Sequence, residues 1–193
     1  MADQLDLQRM ADALRRTGWV RFWVQLALGV VVVVVLMFNN IGGRLAANSS
    51  RALGLGPGLS LTTLSFLVLL WSLWQSWLVV RCGRALASPV RPSRGETARL
   101  VKRGLVADVA GLTLASVGYQ ALAGSLFVQA SQQVPGFLGA QLPATPGSGG
   151  RVVGLPITSI EMLSVLSNTQ VLFAHVLALI ISLWLLQRIY RRS

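Results

Sequence analysis

Four long apolar stretches dominate this chain and restrict what it can fold into. They lie near Gly18–Phe38, Leu59–Val80, Gly104–Val128 and Met162–Gln187. Each is long enough to cross a hydrocarbon core of roughly 30 Å, which needs about 20 helical residues. Of the 193 residues, 53% are hydrophobic and only 12% are charged, whereas about 25% of a soluble domain is charged. We therefore predict an all-α integral membrane four-helix bundle.

The same composition excludes several other classes of protein. Intrinsic disorder requires low hydrophobicity, which this chain does not have. The single cysteine, Cys82, provides neither an intramolecular disulfide nor a thiolate zinc site. The net charge of +11 does not predict a nucleic-acid partner, because the basic residues sit between apolar stretches in the pattern of membrane topology.

The distribution of Lys and Arg predicts the orientation of the bundle. Only three of the 17 basic residues, Arg44, Arg51 and Arg151, lie in the first and third connections. The others lie on the side of the N-terminus, the second connection and the C-terminus. Cytoplasmic loops carry the excess of Lys and Arg, so we expect both termini in the cytoplasm.

Few motifs occur outside the apolar stretches. Leu7, Met10 and Leu14 recur at helical spacing among charged residues, which predicts a short amphipathic interfacial helix within a cytoplasmic N-terminus, residues 1–17. The membrane domain then covers residues 18–187, and 188–193 form a basic tail. Ser93 and Glu96 have the spacing of a capping box, which predicts a helix start at Arg94.

Polar residues within the apolar stretches need partners inside the bundle. Arg21, Gln25, Gln75 and Asp108 fall in the cytoplasmic half of their spans. We expect Asp108 to pair with Arg21, Lys102 or Arg103. One interpretation is an ion pair that holds two helices together; the other is a proton or cation relay in which Asp108 titrates or coordinates.

The fourth span carries a polar stripe on one helical face, formed by Ser164, Asn168, His175 and Ser182. His175 lies near mid-membrane, where we expect it to be neutral and therefore able to bind a metal. Asn168 and His175 can equally act as hydrogen-bonding contacts between helices. A metal site with His175 and Asp108 as ligands is expected only if subunits share it, since one chain has too few ligands.

Small residues on the third span predict close helix contacts. Gly111, Ala115 and Gly118 share a face with Asp108, and Ser65, Ser72 and Ser76 form a similar stripe on the second span. The basic residues before the third span are expected to contact anionic lipid: Arg91, Arg94, Arg99, Lys102 and Arg103. No catalytic constellation or nucleotide fingerprint occurs, so we do not expect an enzyme.

Three blocks of sequence resemble the Tic21-like, or permease-in-chloroplasts, family of cyanobacteria and chloroplast inner envelopes. They are Leu14–Trp19 with Phe22–Leu26; Arg91–Ser93 through Gly104, Leu105 and Asp108 to Gly111; and Ser167–Gln170 with Ala174, His175 and Ser182–Leu186. The resemblance implies a four-helix protein of a cyanobacterial thylakoid or plasma membrane. Two roles come with it: iron uptake and protein translocation at the inner envelope.

The leading hypothesis is assistance in the transport of a metal cation, with iron as the transported substrate, by a homo-oligomer. The alternative is a scaffold or assembly factor that binds other membrane complexes without transporting anything. A third hypothesis is regulation through anionic headgroups at the basic second loop. We expect no resident cofactor, and iron enters only as the transported substrate.

Overall fold

The computed structural model describes residues 2–45, 52–86, 92–131 and 159–191, and these residues form four long helices. They are α1 (Ala2–Leu45), α2 (Ala52–Ala85), α3 (Arg94–Ser131) and α4 (Ser159–Tyr190). The described ranges contain no strand. The prediction of an all-α four-helix protein is confirmed.

The helices pack in cyclic order: consecutive helices are adjacent, and α4 closes the ring against α1. α1 packs on α2 and α4, and α3 packs on the same two helices from the other side. At one end, a core cluster joins Met10 and Leu14 of α1 to Val79 of α2, Val101 of α3 and Leu185 of α4. The start of α1, the end of α2, the start of α3 and the end of α4 therefore meet there, and the bundle runs up and down.

This arrangement places the N-terminal and C-terminal helix ends beside the basic connection between α2 and α3. The predicted grouping of these three regions thus agrees with the packing of the bundle. The compartment that this end faces stays a prediction.

The bundle shows apolar side chains to its surroundings and encloses polar ones. Val34, Leu67, Phe173 and Ile180 are all exposed. Among the residues whose burial the structure describes, fifteen polar or charged ones are buried, including Arg21 and Asp108. All four helices are long and apolar enough to cross a membrane. Apolar surface outside and polar groups inside suit lipid as the solvent, and this is an integral membrane protein.

The structure corrects the expectation of a separate interfacial helix at the N-terminus. The segment is helical, but it continues without a break into the first span as part of α1. Met10, Ala11 and Leu14 are buried in the core cluster rather than presented to lipid. Gly83 of α2 makes this packing possible, since a Cβ there would lie 3.0 Å from the backbone nitrogen of Arg15.

The starts of α2 and α3 can be compared with the predictions from the sequence. The capping box is confirmed: the Ser93 backbone N–H donates to Glu96 at 2.8 Å, the Glu96 N–H donates to Ser93 Oγ at 3.2 Å, and α3 begins at Arg94. The helix α2 begins at Ala52, and the part of it that is long and apolar enough to cross a membrane begins at Gly58, beside the predicted span start at Leu59. Arg91 lies outside the described residues.

Three glycines of α3, spaced seven residues apart, each lie against a polar side chain of another helix. A Cβ at Gly104 would lie 3.3 Å from the Arg21 guanidinium, and one at Gly118 would lie 3.4 Å from Asn168 Oδ1. At Gly111 it would lie only 2.2 Å from the His175 ring. Such a distance is sterically impossible, so the imidazole occupies the space that a side chain would fill.

Asn168 forms a second polar contact between three helices. Its amide nitrogen donates to the Ala115 carbonyl of α3 at 2.9 Å, and its Oδ1 accepts from Thr62 of α2 at 2.9 Å. Gly118 and Ala115, the predicted packing residues, line this contact and are buried. The amide thus satisfies backbone and side-chain groups that lipid could not.

Replacing Gly111 with Ala is expected to destabilise the bundle by about 1–3 kcal/mol, because the methyl group overlaps the His175 ring. Gly124→Ala on the same helix is the matched control, since nothing lies within 4 Å of that position. That control should stabilise the helix by up to about 1 kcal/mol through its propensity. Thermal unfolding of both variants in detergent measures the difference, and equal stabilities would contradict the described packing.

Asn168→Ala is expected to cost about 0.6–2 kcal/mol of stability, because it leaves the Ala115 carbonyl and Thr62 without their shared partner. Thr169→Ala is the control. Thr169 is exposed and bonds only to Val165 of its own helix, so its loss should change stability by less than about 0.5 kcal/mol. Denaturant titration in bicelles distinguishes the variants; an Asn168→Ala protein as stable as the control would refute the contact.

Candidate functional site

The Asp108 carboxylate lies at the centre of a cluster of buried polar groups. It is 0% exposed. Oδ2 accepts a hydrogen bond from Arg21 Nη2 at 2.8 Å, and Oδ1 accepts one from the Ser72 hydroxyl at 2.5 Å. Of the three cations considered from the sequence, the structure therefore selects Arg21 as the partner of Asp108. Lys102 and Arg103 are exposed instead.

Arg21 reaches across the middle of the bundle. α1 and α3 lie diagonally opposite, and among the described residues their backbones do not contact each other. The Arg21 side chain spans this gap to reach Asp108, and Gly104 leaves room for its guanidinium. Nη1 also donates to Ser182 of α4 at 2.7 Å, and Nη2 to Ser72 of α2 at 2.8 Å. One side chain thus connects all four helices.

Gln25, one turn after Arg21, extends the cluster along α1 and α2. Its amide nitrogen donates to Ser72 Oγ at 2.8 Å, and its Oε1 accepts from Ser76 at 2.9 Å. Ser72 consequently accepts two hydrogen bonds while it donates one to Asp108. The Ser72 hydroxyl therefore hydrogen-bonds to the Gln25 amide and to both members of the ion pair, and these bonds use both of its lone pairs and its proton.

His175 lies against Asp108 on the other side. Its Nδ1 is 3.5 Å from Asp108 Oδ1, and its Nε2 is 3.3 Å from the Ser65 carbonyl oxygen. In the neutral tautomer with its proton on Nε2, the ring donates to this carbonyl, since a carbonyl can only accept. Nδ1 then presents a lone pair towards the carboxylate and has no hydrogen-bond partner among the described residues. A cation between Nδ1 and Oδ1 would be attracted by both atoms.

The candidate metal ligands are therefore close together within one chain. Asp108 and His175 supply two donors, but the described residues contain no group of three or more His, Cys, Asp or Glu side chains that could hold a metal. Cys82 lies elsewhere, with its sulfur 3.6 Å from Thr97 Oγ1. A bound transition metal would need further ligands from another subunit, from water or from the substrate.

Other residues singled out from the sequence lie around this cluster. Gln75 is 5% exposed, and its Oε1 has no hydrogen-bond partner in the described part of the chain. Asn168 is in the separate contact with Thr62 and Ala115. Arg94, Arg99, Lys102 and Arg103 are all exposed near the start of α3. Lys102 Nζ lies 5.4 Å from the centre of the Tyr190 ring.

Sequence reasoning missed two kinds of residue. Ser65, Ser72 and Ser76 were interpreted as small packing residues, whereas their hydroxyls hydrogen-bond to Gly111, Asp108 and Gln25. Their spacing of seven and four residues was the available signal, because it placed them on one face beside Gln75. Glu161 was also missed; it is 2% exposed in the first turn of α4, where the positive end of a helix dipole favours a carboxylate.

The electrostatic balance of the cluster explains why its members are buried together. An isolated charge in a low-dielectric interior costs several kcal/mol, and removing one partner from a buried pair costs about 3–5 kcal/mol. Arg21 and Asp108 neutralise each other, and Ser72 and Ser182 supply additional hydrogen bonds. His175 adds an ionisable ring without requiring another fixed charge.

Comparison with known proteins identifies relatives of the chain. Residues 4–190 match the family described as "Protein of unknown function (DUF3611)". The chain is also 24% identical over 185 residues to "Protein TIC 21, chloroplastic" of Arabidopsis thaliana. That alignment covers 95% of this chain but 58% of the relative, so the chain spans little more than half of that protein's length. No solved structure matches the chain.

The family match covers nearly all of the described helices, including Arg21, Asp108 and His175. The resemblance to Tic21-like proteins, inferred from three blocks of sequence, is confirmed. The chain belongs to the DUF3611 family of Tic21-like membrane proteins.

Proposed function

We propose that this protein assists the transport of a metal cation across a cyanobacterial-type membrane, with iron as the transported substrate, and that it is not an enzyme. The observation that carries the proposal is the contact between Asp108 and His175 inside the membrane bundle, 3.5 Å apart and both fully buried. Ionisable residues are expensive within a bilayer and commonly mark ion or proton pathways.

The donor chemistry of this contact suits a divalent transition metal. A neutral imidazole is a ligand for iron, and the carboxylate is a hard oxygen donor. His175 Nδ1 offers its lone pair on the side of Asp108, so the two donors converge. A cation entering this position would be coordinated by both side chains.

Arg21 is the internal competitor of such a cation. Its guanidinium already neutralises Asp108, and it has alternative acceptors in Ser72 and Ser182. A cation that passes this point would bind the Asp108 carboxylate in place of Arg21, while the Arg21 guanidinium stays hydrogen-bonded to Ser72 and Ser182. In this proposal the ion pair is the resting state, and a homo-oligomer or the bound substrate completes the coordination.

A second candidate function is a scaffold or assembly factor that binds other membrane complexes, including translocation complexes. The hydrogen bonding of Asp108 favours this candidate. Arg21 and Ser72 each donate to one oxygen of the carboxylate, and this ion pair can hold the helices together without any transport. The plasma or thylakoid membrane is the proposed location in either case, with both termini in the cytoplasm. Stoichiometric partners co-purifying in mild detergent would support this candidate, and an isolated chain would weigh against it.

Iron uptake into proteoliposomes tests the transport proposal. The reconstituted protein should take up radiolabelled Fe²⁺ faster than empty vesicles, and Asp108→Asn should reduce the rate by about tenfold or more, equivalent to ~1.4 kcal/mol. The loss is expected because an amide neither attracts a cation as strongly nor balances Arg21. The matched control is Asp12→Asn, which removes an exposed carboxylate paired with Arg15 on the surface of α1.

The amount of folded protein in the vesicles must be equal for each comparison. If Asp108→Asn folds poorly, His175→Gln provides a second variant that retains a polar side chain and all buried charges. Folded wild-type protein without uptake above empty vesicles would defeat the transport proposal. Normal uptake by both folded variants would remove Asp108 and His175 from the pathway.

A further inference from the structure

A furrow between α2 and α3 combines unpaired cations with an apolar channel. Two adjoining grooves, of about 510 and 650 Å³, share Arg99, Leu100 and Arg103 in their walls. The first groove lies towards Arg81 at the end of α2. The second runs past Trp74 and Val106 towards Ala110. The furrow therefore extends from the basic end of the bundle along its lipid-facing surface.

The cations in this furrow have no acidic partner in the described ranges. Arg99 and Arg103 are exposed and lie one helical turn apart on α3, and neither forms a described ion pair. Glu96 also lines the first groove, and its carboxylate accepts from the Ser93 backbone N–H rather than pairing with either arginine. Two guanidinium groups at this spacing can bind one phosphate or sulfate group from two sides.

The apolar part of the furrow has the dimensions of one lipid leaflet. From Arg99 to Ala110, α3 rises by about 16 Å, which is close to half of a hydrocarbon core of roughly 30 Å. Trp71, Trp74 and Val106 line this part and are 51%, 48% and 66% exposed. Indole rings at this position provide an apolar wall near the headgroup level.

We propose that the α2–α3 furrow is a specific site for one acidic membrane lipid. Arg99 and Arg103 bind its phosphate or sulfate headgroup, and one acyl chain lies along Trp74, Val106 and Ala110. Charge complementarity identifies the headgroup as anionic, and the adjoining apolar channel distinguishes a lipid from a free phosphate ion. The site is separate from the Asp108 cluster and independent of the proposed transport.

Native mass spectrometry of the full chain in neutral detergent tests this site. Phosphatidylglycerol should remain bound as one molecule per chain, whereas phosphatidylcholine and inorganic phosphate should not. Arg99→Gln/Arg103→Gln should weaken phosphatidylglycerol binding by about thirtyfold, as expected for two headgroup contacts. Arg16→Gln/Arg84→Gln is the control, because both arginines are exposed and neither lines the furrow; it should change binding by less than about threefold.

Several outcomes would overturn the proposal. Equal weakening by the two double variants would show general attraction to charge. Equal retention of phosphatidylcholine would remove the headgroup preference, and competition by inorganic phosphate at the same affinity would assign a free-anion site. Failure to retain phosphatidylglycerol while an acidic peptide binds would assign a protein-docking surface instead.

A second measurement locates the acyl chain while Arg99 and Arg103 are left intact. Phosphatidylglycerol with a brominated acyl chain should quench tryptophan fluorescence, and Trp74→Phe should remove a larger share of that quenching than Trp23→Phe, an exposed tryptophan on α1. Equal effects of the two substitutions would contradict the position of the chain. Neither measurement reads iron uptake, so this site and the proposed function can fail separately.

Discussion

The ion pair between Arg21 and Asp108 is the constraint on which the rest of the bundle depends. Lipid is as apolar as the outer faces of the helices, so burial of Leu and Val does little to choose helix neighbours in a membrane. A buried pair of opposite charges does determine which helices are neighbours, because neither charge can be left in lipid without the other. Since α1 and α3 are diagonal, their meeting fixes the centre of the bundle and requires α2 and α4 to flank it.

Close packing and charge burial are coupled through α3. Gly104, Gly111 and Gly118 provide the space into which Arg21, His175 and Asn168 extend. A larger residue at any of these positions would displace a polar group whose hydrogen bonds cannot be replaced by lipid. The same geometry leaves His175 beside Asp108, so the ion pair that joins the helices and the proposed cation site use the same carboxylate. Transport measurements, rather than stability alone, separate these roles.

Much of this arrangement could be predicted from the sequence. Four apolar stretches predicted four helices because only helices satisfy their own backbone within lipid, and Ser93 with Glu96 predicted the start of α3. The hydroxyl partners were missed because hydrophobicity does not distinguish a serine that packs from one that bonds to Asp108. The continuous α1 was missed because Met10 and Leu14 form an amphipathic pattern that suits an interface and a bundle equally. Only the tertiary packing identifies the surface they cover.

The most direct test of the central interaction is a double-mutant cycle on Arg21 and Asp108, read as the free energy of unfolding in bicelles. Arg21→Met and Asp108→Leu should each destabilise the bundle by about 3–5 kcal/mol, because each leaves one buried charge without its partner. The double variant should be at least as stable as either single variant, since no unpaired charge remains. Costs that add to within about 0.5 kcal/mol would show two independent residues and contradict the account.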